Sequence, residues 1–154
     1  MKKRLNIFCV LMLLLLVSQV VMMFVVGSDA FQEGWEQGRS DKTPITWGTM
    51  LASVVVLLAL LAGFVSFLSF IRFILNVNRN KVFVWENVNL LRLTAWASII
   101  PLLVFAWGQL YDGSSFVEVY NDFFDAFLFG VFNLIVAEVF AIGLKLQEEQ
   151  DLTI

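Results

Sequence analysis

Four long apolar runs, separated by short polar connections, dominate the chain. The first, residues 7–26, reads "IFCVLMLLLLVSQVVMMFVV" and follows Lys2, Lys3 and Arg4. The others cover about residues 49–70, 90–110 and 126–144. Each approaches the roughly 20 residues a helix needs to cross a hydrocarbon core of about 30 Å. Lipid offers no partner to backbone N–H and C=O groups, so such runs close their hydrogen bonds as helices. The pattern predicts an all-α polytopic membrane protein, one domain over residues 1–154 with four transmembrane helices in two hairpins. A signal peptide also begins with charge, but its apolar core is only about 7–15 residues. The first run is longer, and the "GSDA" after it is a poor cleavage site, so a retained helix is expected.

The polar connections set the direction of insertion. With the N-terminus inside, Lys2, Lys3, Arg4, Arg72, Arg79, Lys81, Arg92 and Lys145 lie at or near the cytoplasmic side, and only Arg39 and Lys42 lie outside. This asymmetry predicts both termini in the cytoplasm. Trp47, Trp85, Trp96 and Trp107 fall near span ends or within a few turns of them, as interfacial aromatics do. The outer connections, "SDAFQEGWEQGRSDKTPITWG" and "YDGSSFVEVYNDFFDAF", each place carboxylates on one helical face and aromatics opposite. The faces are Asp29, Glu33 and Glu36 in the first, and Glu118, Asp122 and Asp125 in the second. Short amphipathic helices in the outer interface are expected. A solvated acidic face is favoured over a cation-binding rim, because charge runs usually are solvated. Gly34 and Gly38 form a GxxxG string in a polar stretch, which is no evidence of helix dimerisation.

Composition narrows the functional classes. The chain is 60% hydrophobic and 15% charged, against about 45–50% and 25% in soluble domains. A net charge of −3 argues against a nucleic-acid-binding surface. One cysteine, Cys9, excludes an intramolecular disulfide and makes a thiolate metal site implausible. No histidine means no zincin motif, Ser–His triad or imidazole relay. The expectation is a non-enzyme, with no catalytic residues, cofactor or metal.

Within the spans, small and polar residues mark the packing faces. Ala52, Ala59, Gly63 and Ser66 cluster on the second, with Ala62 adjacent. Gly130, Asn133, Leu134, Ala137, Glu138, Ala141 and Lys145 share a sector of the fourth, so Glu138 is expected to point into the bundle. Pro101, mid-way along the third, cannot donate to the Ala97 carbonyl and predicts a kink. Glu138 lies about six residues from the inner end of its helix, hence about 9 Å deep at about 1.5 Å per residue. A carboxylate at that depth is costly unless protonated or paired. Lys145 is too far along the helix, whereas Arg92 can reach inward with a bidentate guanidinium. An intramembrane ion pair of Glu138 and Arg92 is expected, with Arg72 the alternative partner.

The inner connection, "NVNRNKVFVWENVNLLRLTAW", breaks the second helix at Asn76, Asn78 and Asn80 and offers Asn87 or Asn89 as caps to the third. Its "EN", "LLR" and Trp96, together with the ending "AEVFAIGLKLQEEQDLTI", resemble a bacterial family of small four-helix membrane proteins, domain of unknown function 2975. The matching strings are residues 81–96 and 137–154. One departure is Ala141–Ile142, where that family carries basic residues before the glycine. The resemblance implies a bacterial inner-membrane protein in a regulatory or sensing setting, beside small helix-turn-helix regulators, and it supplies no catalytic residues. The expected function is a membrane module presenting a cytoplasmic loop and tail to a partner. Its candidate surface is Asn87, Gln147, Glu148, Glu149 and Asp151. The alternative is a small proton-coupled transporter or exporter using Glu138. Expected partners are the lipid bilayer and either a cytoplasmic protein or a second copy, with no direct nucleic-acid binding.

Overall fold

The computed structural model describes residues 2–40, 46–111 and 113–151. Lys42, Asp112 and tail residues 152–154 lie outside the described residues, as does the side chain of Asp151. The described residues form four helices: α1 (Lys2–Ser40), α2 (Trp47–Asn78), α3 (Trp85–Tyr111) and α4 (Phe116–Asp151). All four are long and apolar enough to cross a membrane, which makes this a multi-pass membrane protein.

The helices outrun the apolar runs that predict them. The first outer segment forms no separate interfacial helix. Residues 27–40 continue α1, because nothing there stops it: no proline intervenes, and Gly27 stays helical. At 39 residues, α1 is about 58 Å long at about 1.5 Å per residue, so its polar end projects past a core of about 30 Å. The second acidic segment is likewise the first turns of α4. That start is fixed by a capping box. The Ser115 N–H donates to Glu118 Oε2 at 3.1 Å, and the Val117 N–H donates to Ser115 Oγ at 3.4 Å. A similar exchange between Thr46 and Thr49 starts α2, with the Thr46 N–H donating to Thr49 Oγ1 at 3.0 Å and the Thr49 N–H to Thr46 Oγ1 at 3.3 Å. α3 continues as helix through Pro101.

The chain divides into two units, Met1–Val55 and Val56–Ile154. In the first, Cys9 of α1 is buried, and the long apolar side chains around it are largely exposed. Phe31 and Trp35 stack one turn apart in its polar end, with centroids 6.3 Å apart.

In the second unit, α3 and α4 run antiparallel. Val88 and Leu91 of α3 meet Ala137, Ala141 and Leu144 of α4 in one cluster, with Phe73, Val136 and Phe140 against it. Lipid gives no hydrophobic drive for this, so close approach must come from small residues. Gly130 is the tightest point: a Cβ there would stand 2.5 Å from Ile99 Cγ1. Gly130, Asn133, Ala137 and Ala141 are all buried, as the sequence stripe predicts. The α2 stripe fares differently. Ala52 and Gly63 are exposed, a Cβ on Gly63 would meet nothing within 4 Å, and of the stripe Ser66 alone is buried, at the start of a buried set that runs on through Ser69, Ile74, Asn76 and Val77.

Candidate functional site

Polar chemistry in the second unit concentrates at one end, around the turn from α2 to α3. α2 closes there with a Schellman motif. Asn80 takes the left-handed conformation (φ 63°), its N–H donates to the Val77 carbonyl at 3.0 Å, and the Lys81 N–H donates to the Asn76 carbonyl at 2.9 Å. Asparagine suits this position because it tolerates positive φ better than other residues with a side chain.

The turn is then held from inside by Asn87, which is fully buried. Its Nδ2 donates to the carbonyls of Lys81 at 2.6 Å and Val82 at 2.7 Å. Its Oδ1 accepts from Asn76 Nδ2 at 3.0 Å. Both turn partners are carbonyls, so only the amide nitrogen can face them, which fixes the orientation of the carboxamide. Asn87 is therefore neither a simple helix cap nor part of an exposed partner surface. It is the internal tie between α2, the turn and α3.

Further along the helices, Ser66 Oγ donates to the Thr94 carbonyl at 2.9 Å, joining α2 to α3. Trp85 Nε1 donates to Glu148 Oε1 at 2.7 Å, joining the start of α3 to the last turns of α4. Phe83 of the turn lies beside Phe140, with centroids 5.3 Å apart, over the gap that Gly143 leaves open.

Arg92 and Glu138 come together across α3 and α4. Nη2 stands 2.7 Å and Nε 2.9 Å from Glu138 Oε1. One carboxylate oxygen thus takes both contacts, in place of a fork-to-fork arrangement. Arg72, the alternative partner, instead meets Glu86 at 2.6 Å. Glu138 does not point into the bundle, since its side chain is 59% exposed and that of Arg92 39%. Ala137 and Ala141 occupy the α3–α4 seam, and a residue one step after Ala137 is turned by about 100° to its rim.

The remaining sequence-predicted residues are spread out. Gln147, Glu148 and Glu149 are exposed on the last turns of α4. Asp29, Glu33, Glu36, Asp122 and Asp125 are exposed, and Glu118 is committed to the α4 capping box. Among the described residues, no three carboxylates or thiols converge as metal ligands would. The Ser-x-x-Glu spacing was the readable signal for the cap. Nothing local points from Asn87 to Asn76 or to the turn carbonyls.

A family model described as protein of unknown function (DUF2975) matches residues 4–154. The chain belongs to the DUF2975 family. The match takes in the turn, Asn76, Asn87, Arg92 and Glu138 alike. No curated protein and no solved structure matches. In this DUF2975 protein the arrangement does two physical things: it fixes the backbone of a turn, and it holds an arginine against a carboxylate on the rim of a helix pair.

Proposed function

We propose that this chain is a non-enzymatic, regulatory module of a bacterial inner membrane, with both termini cytoplasmic, whose α2–α3 turn and α4 tail dock a cytoplasmic protein. The observation that carries this reading is the division of labour in the turn. Asn87 holds the backbone from inside, while Arg79, Asn80, Lys81 and Phe83 stay exposed on it. A fixed backbone bearing exposed basic and aromatic side chains binds with less ordering cost than a floppy loop. The Lys and Arg asymmetry supports a cytoplasmic location for it.

The test is photo-crosslinking in cells from Arg79 and Lys81, with Trp35 and Tyr120 as controls on the opposite side. The expected result is a discrete adduct from the turn alone, lost when Asn87→Ser loosens it. A second reading, a proton-coupled transporter, draws on Glu138 Oε2, which has no hydrogen-bond partner among the described residues. Proteoliposomes that carry a proton flux abolished by Glu138→Gln, with no adduct from the turn, would favour that reading instead.

A further inference from the structure

The charges at the turn end of the second unit do not balance. Three of its carboxylates are committed: Glu86 to Arg72 at 2.6 Å, Glu138 to Arg92 at 2.7 Å, and Glu148 to Trp85 Nε1 at 2.7 Å. Glu149 is engaged as well. The side chains of Arg79 and Lys81, by contrast, have no hydrogen-bond or ion-pair partner among the described residues. In the four-span layout the N-terminal segment falls on this side too, and residues 1–28 hold Lys2, Lys3 and Arg4 but no carboxylate.

Depth says where the missing anion lies. Leu75 closes the apolar stretch of α2, and Leu90 opens that of α3. Arg79 stands four residues past the first, about 6 Å along the helix, and Trp85 five residues before the second, about 7–8 Å. A bilayer of about 40–45 Å around a core of about 30 Å leaves a polar layer of about 5–8 Å on each side. The turn therefore crests in the headgroup layer. There Arg79 and Lys81 precede Phe83 and Trp85, cations followed by the aromatics that settle at a membrane interface.

We infer that the α2–α3 turn is a binding surface for anionic phospholipid, with Arg79 and Lys81 taking the headgroup phosphate and Phe83 and Trp85 resting among the chain tops beside it. A lipid answers both halves of the turn, the cations by its charge and the aromatics by its apolar body, whereas a free anion answers only the first. The backbone that carries these side chains is set beforehand by the Schellman closure and by Asn87, so little ordering is lost on binding. The inference goes beyond the partner reading: it needs no cytoplasmic protein, and it stands or falls on the purified chain, while crosslinks in cells decide the other.

Native mass spectrometry of the full chain, released from micelles that hold phosphatidylcholine and phosphatidylglycerol in equal amounts, tests it. The chain should retain phosphatidylglycerol in preference. Arg79→Gln with Lys81→Gln should lower that affinity roughly thirtyfold, at about fivefold for each base near a membrane surface. Arg79→Lys with Lys81→Arg keeps both charges and should keep the lipid. Arg39→Gln removes a base from the first outer segment and should change nothing. Neither Arg79 nor Lys81 bonds through its side chain among the described residues, so the fold survives their loss, and unchanged hydrogen exchange across residues 79–84 in lipid-free micelles checks that. If the double variant fails that check, the single changes are read in its place, at about fivefold each. Equal retention of the two lipids, retention indifferent to Arg79→Gln and Lys81→Gln, equal loss on Arg39→Gln, or inorganic phosphate held as well as the lipid would each overturn the inference. So would a preference that emerges only in Asp151→Asn, which would assign the two bases to the tail of the chain itself.

Discussion

The turn end of the second unit and the middle of α1 handle the same kind of residue in opposite ways. Asn76, Asn87, Thr94 and Asn133 are carboxamides and a hydroxyl in a strongly apolar chain, and each is buried and hydrogen-bonded within it. Gln19 is a carboxamide in an equally apolar stretch, and within the first unit it is exposed without such a partner. A polar side chain in a membrane helix either closes the fold of its own chain or leaves a bond to be made elsewhere. Mutation should therefore divide the two regions: changes at the turn should unsettle the second unit, and changes at Gln19 should leave it intact.

The largest effect should come from Asn87→Leu. It keeps the branched shape but strands the Lys81 and Val82 carbonyls and Asn76 Nδ2. Each buried group left unpaired costs about 1–3 kcal/mol, so a loss of about 3 kcal/mol or more is expected in denaturant titration in mixed micelles. Hydrogen exchange across residues 79–84 should rise with it, and unchanged protection there would remove Asn87 from its role. The equivalent change at Gln19 should leave exchange across residues 79–84 unaltered. Next comes Gly130→Ala, expected to cost about 1–3 kcal/mol despite the better helix propensity of alanine, because Ile99 Cγ1 stands 2.5 Å from the new methyl. Ile99→Ala in the same molecule should recover part of the loss. Gly63→Ala, with open space around it, should be neutral or slightly stabilising, and an equal cost at both glycines would sink the packing account.

These sites also mark how far the sequence could be read. Span number follows from length and apolarity, which lipid enforces whatever the packing. The α4 face was legible because its small residues recur at helical spacing and all of them meet α3. The α2 stripe has the same signature, yet only its Ser66 end is buried, since spacing defines a face but not where along it another helix crosses. Arg92 and Glu138 were legible as two opposite charges of similar depth. The exposure of Glu138 was not, because a sector about 100° wide includes both the seam and its rim. In the sequence Asn87 offers a cap or an exposed partner contact, the roles visible from neighbouring residues alone. Its actual partners depend on the Schellman turn that brings Asn76 and the Lys81 and Val82 carbonyls together.

The Arg92–Glu138 pair should give a smaller effect than the turn or the Gly130 contact. Both side chains are partly exposed, so the cost of losing one partner falls between that of a surface pair and a buried one, at about 1–2 kcal/mol. Glu138→Gln and Arg92→Gln should each lower folded yield, and the double change should recover part of it. Single changes that leave folding intact but abolish a proton-linked flux would make Glu138 a working group in place of a structural contact.

The smallest effect is expected at the start of α4, where it separates a structural carboxylate from its solvated neighbours. Ser115→Ala removes the acceptor for the Val117 N–H and should cost about 0.5–1 kcal/mol, read as faster exchange over the first turns of α4. Glu118→Gln should be nearly silent, because glutamine can take the same place in the box, whereas Glu118→Ala should resemble Ser115→Ala. Asp122→Asn and Asp125→Asn change exposed carboxylates outside the cap and should alter neither stability nor exchange. If the acidic face were instead a cation site, all three carboxylates would act together, and calcium would raise the melting temperature in a saturable way. On the capping account calcium leaves it unmoved, and only Glu118 shows a difference between amide and alanine. A calcium-dependent shift lost in Asp122→Asn would transfer Glu118 from the helix start to a binding site.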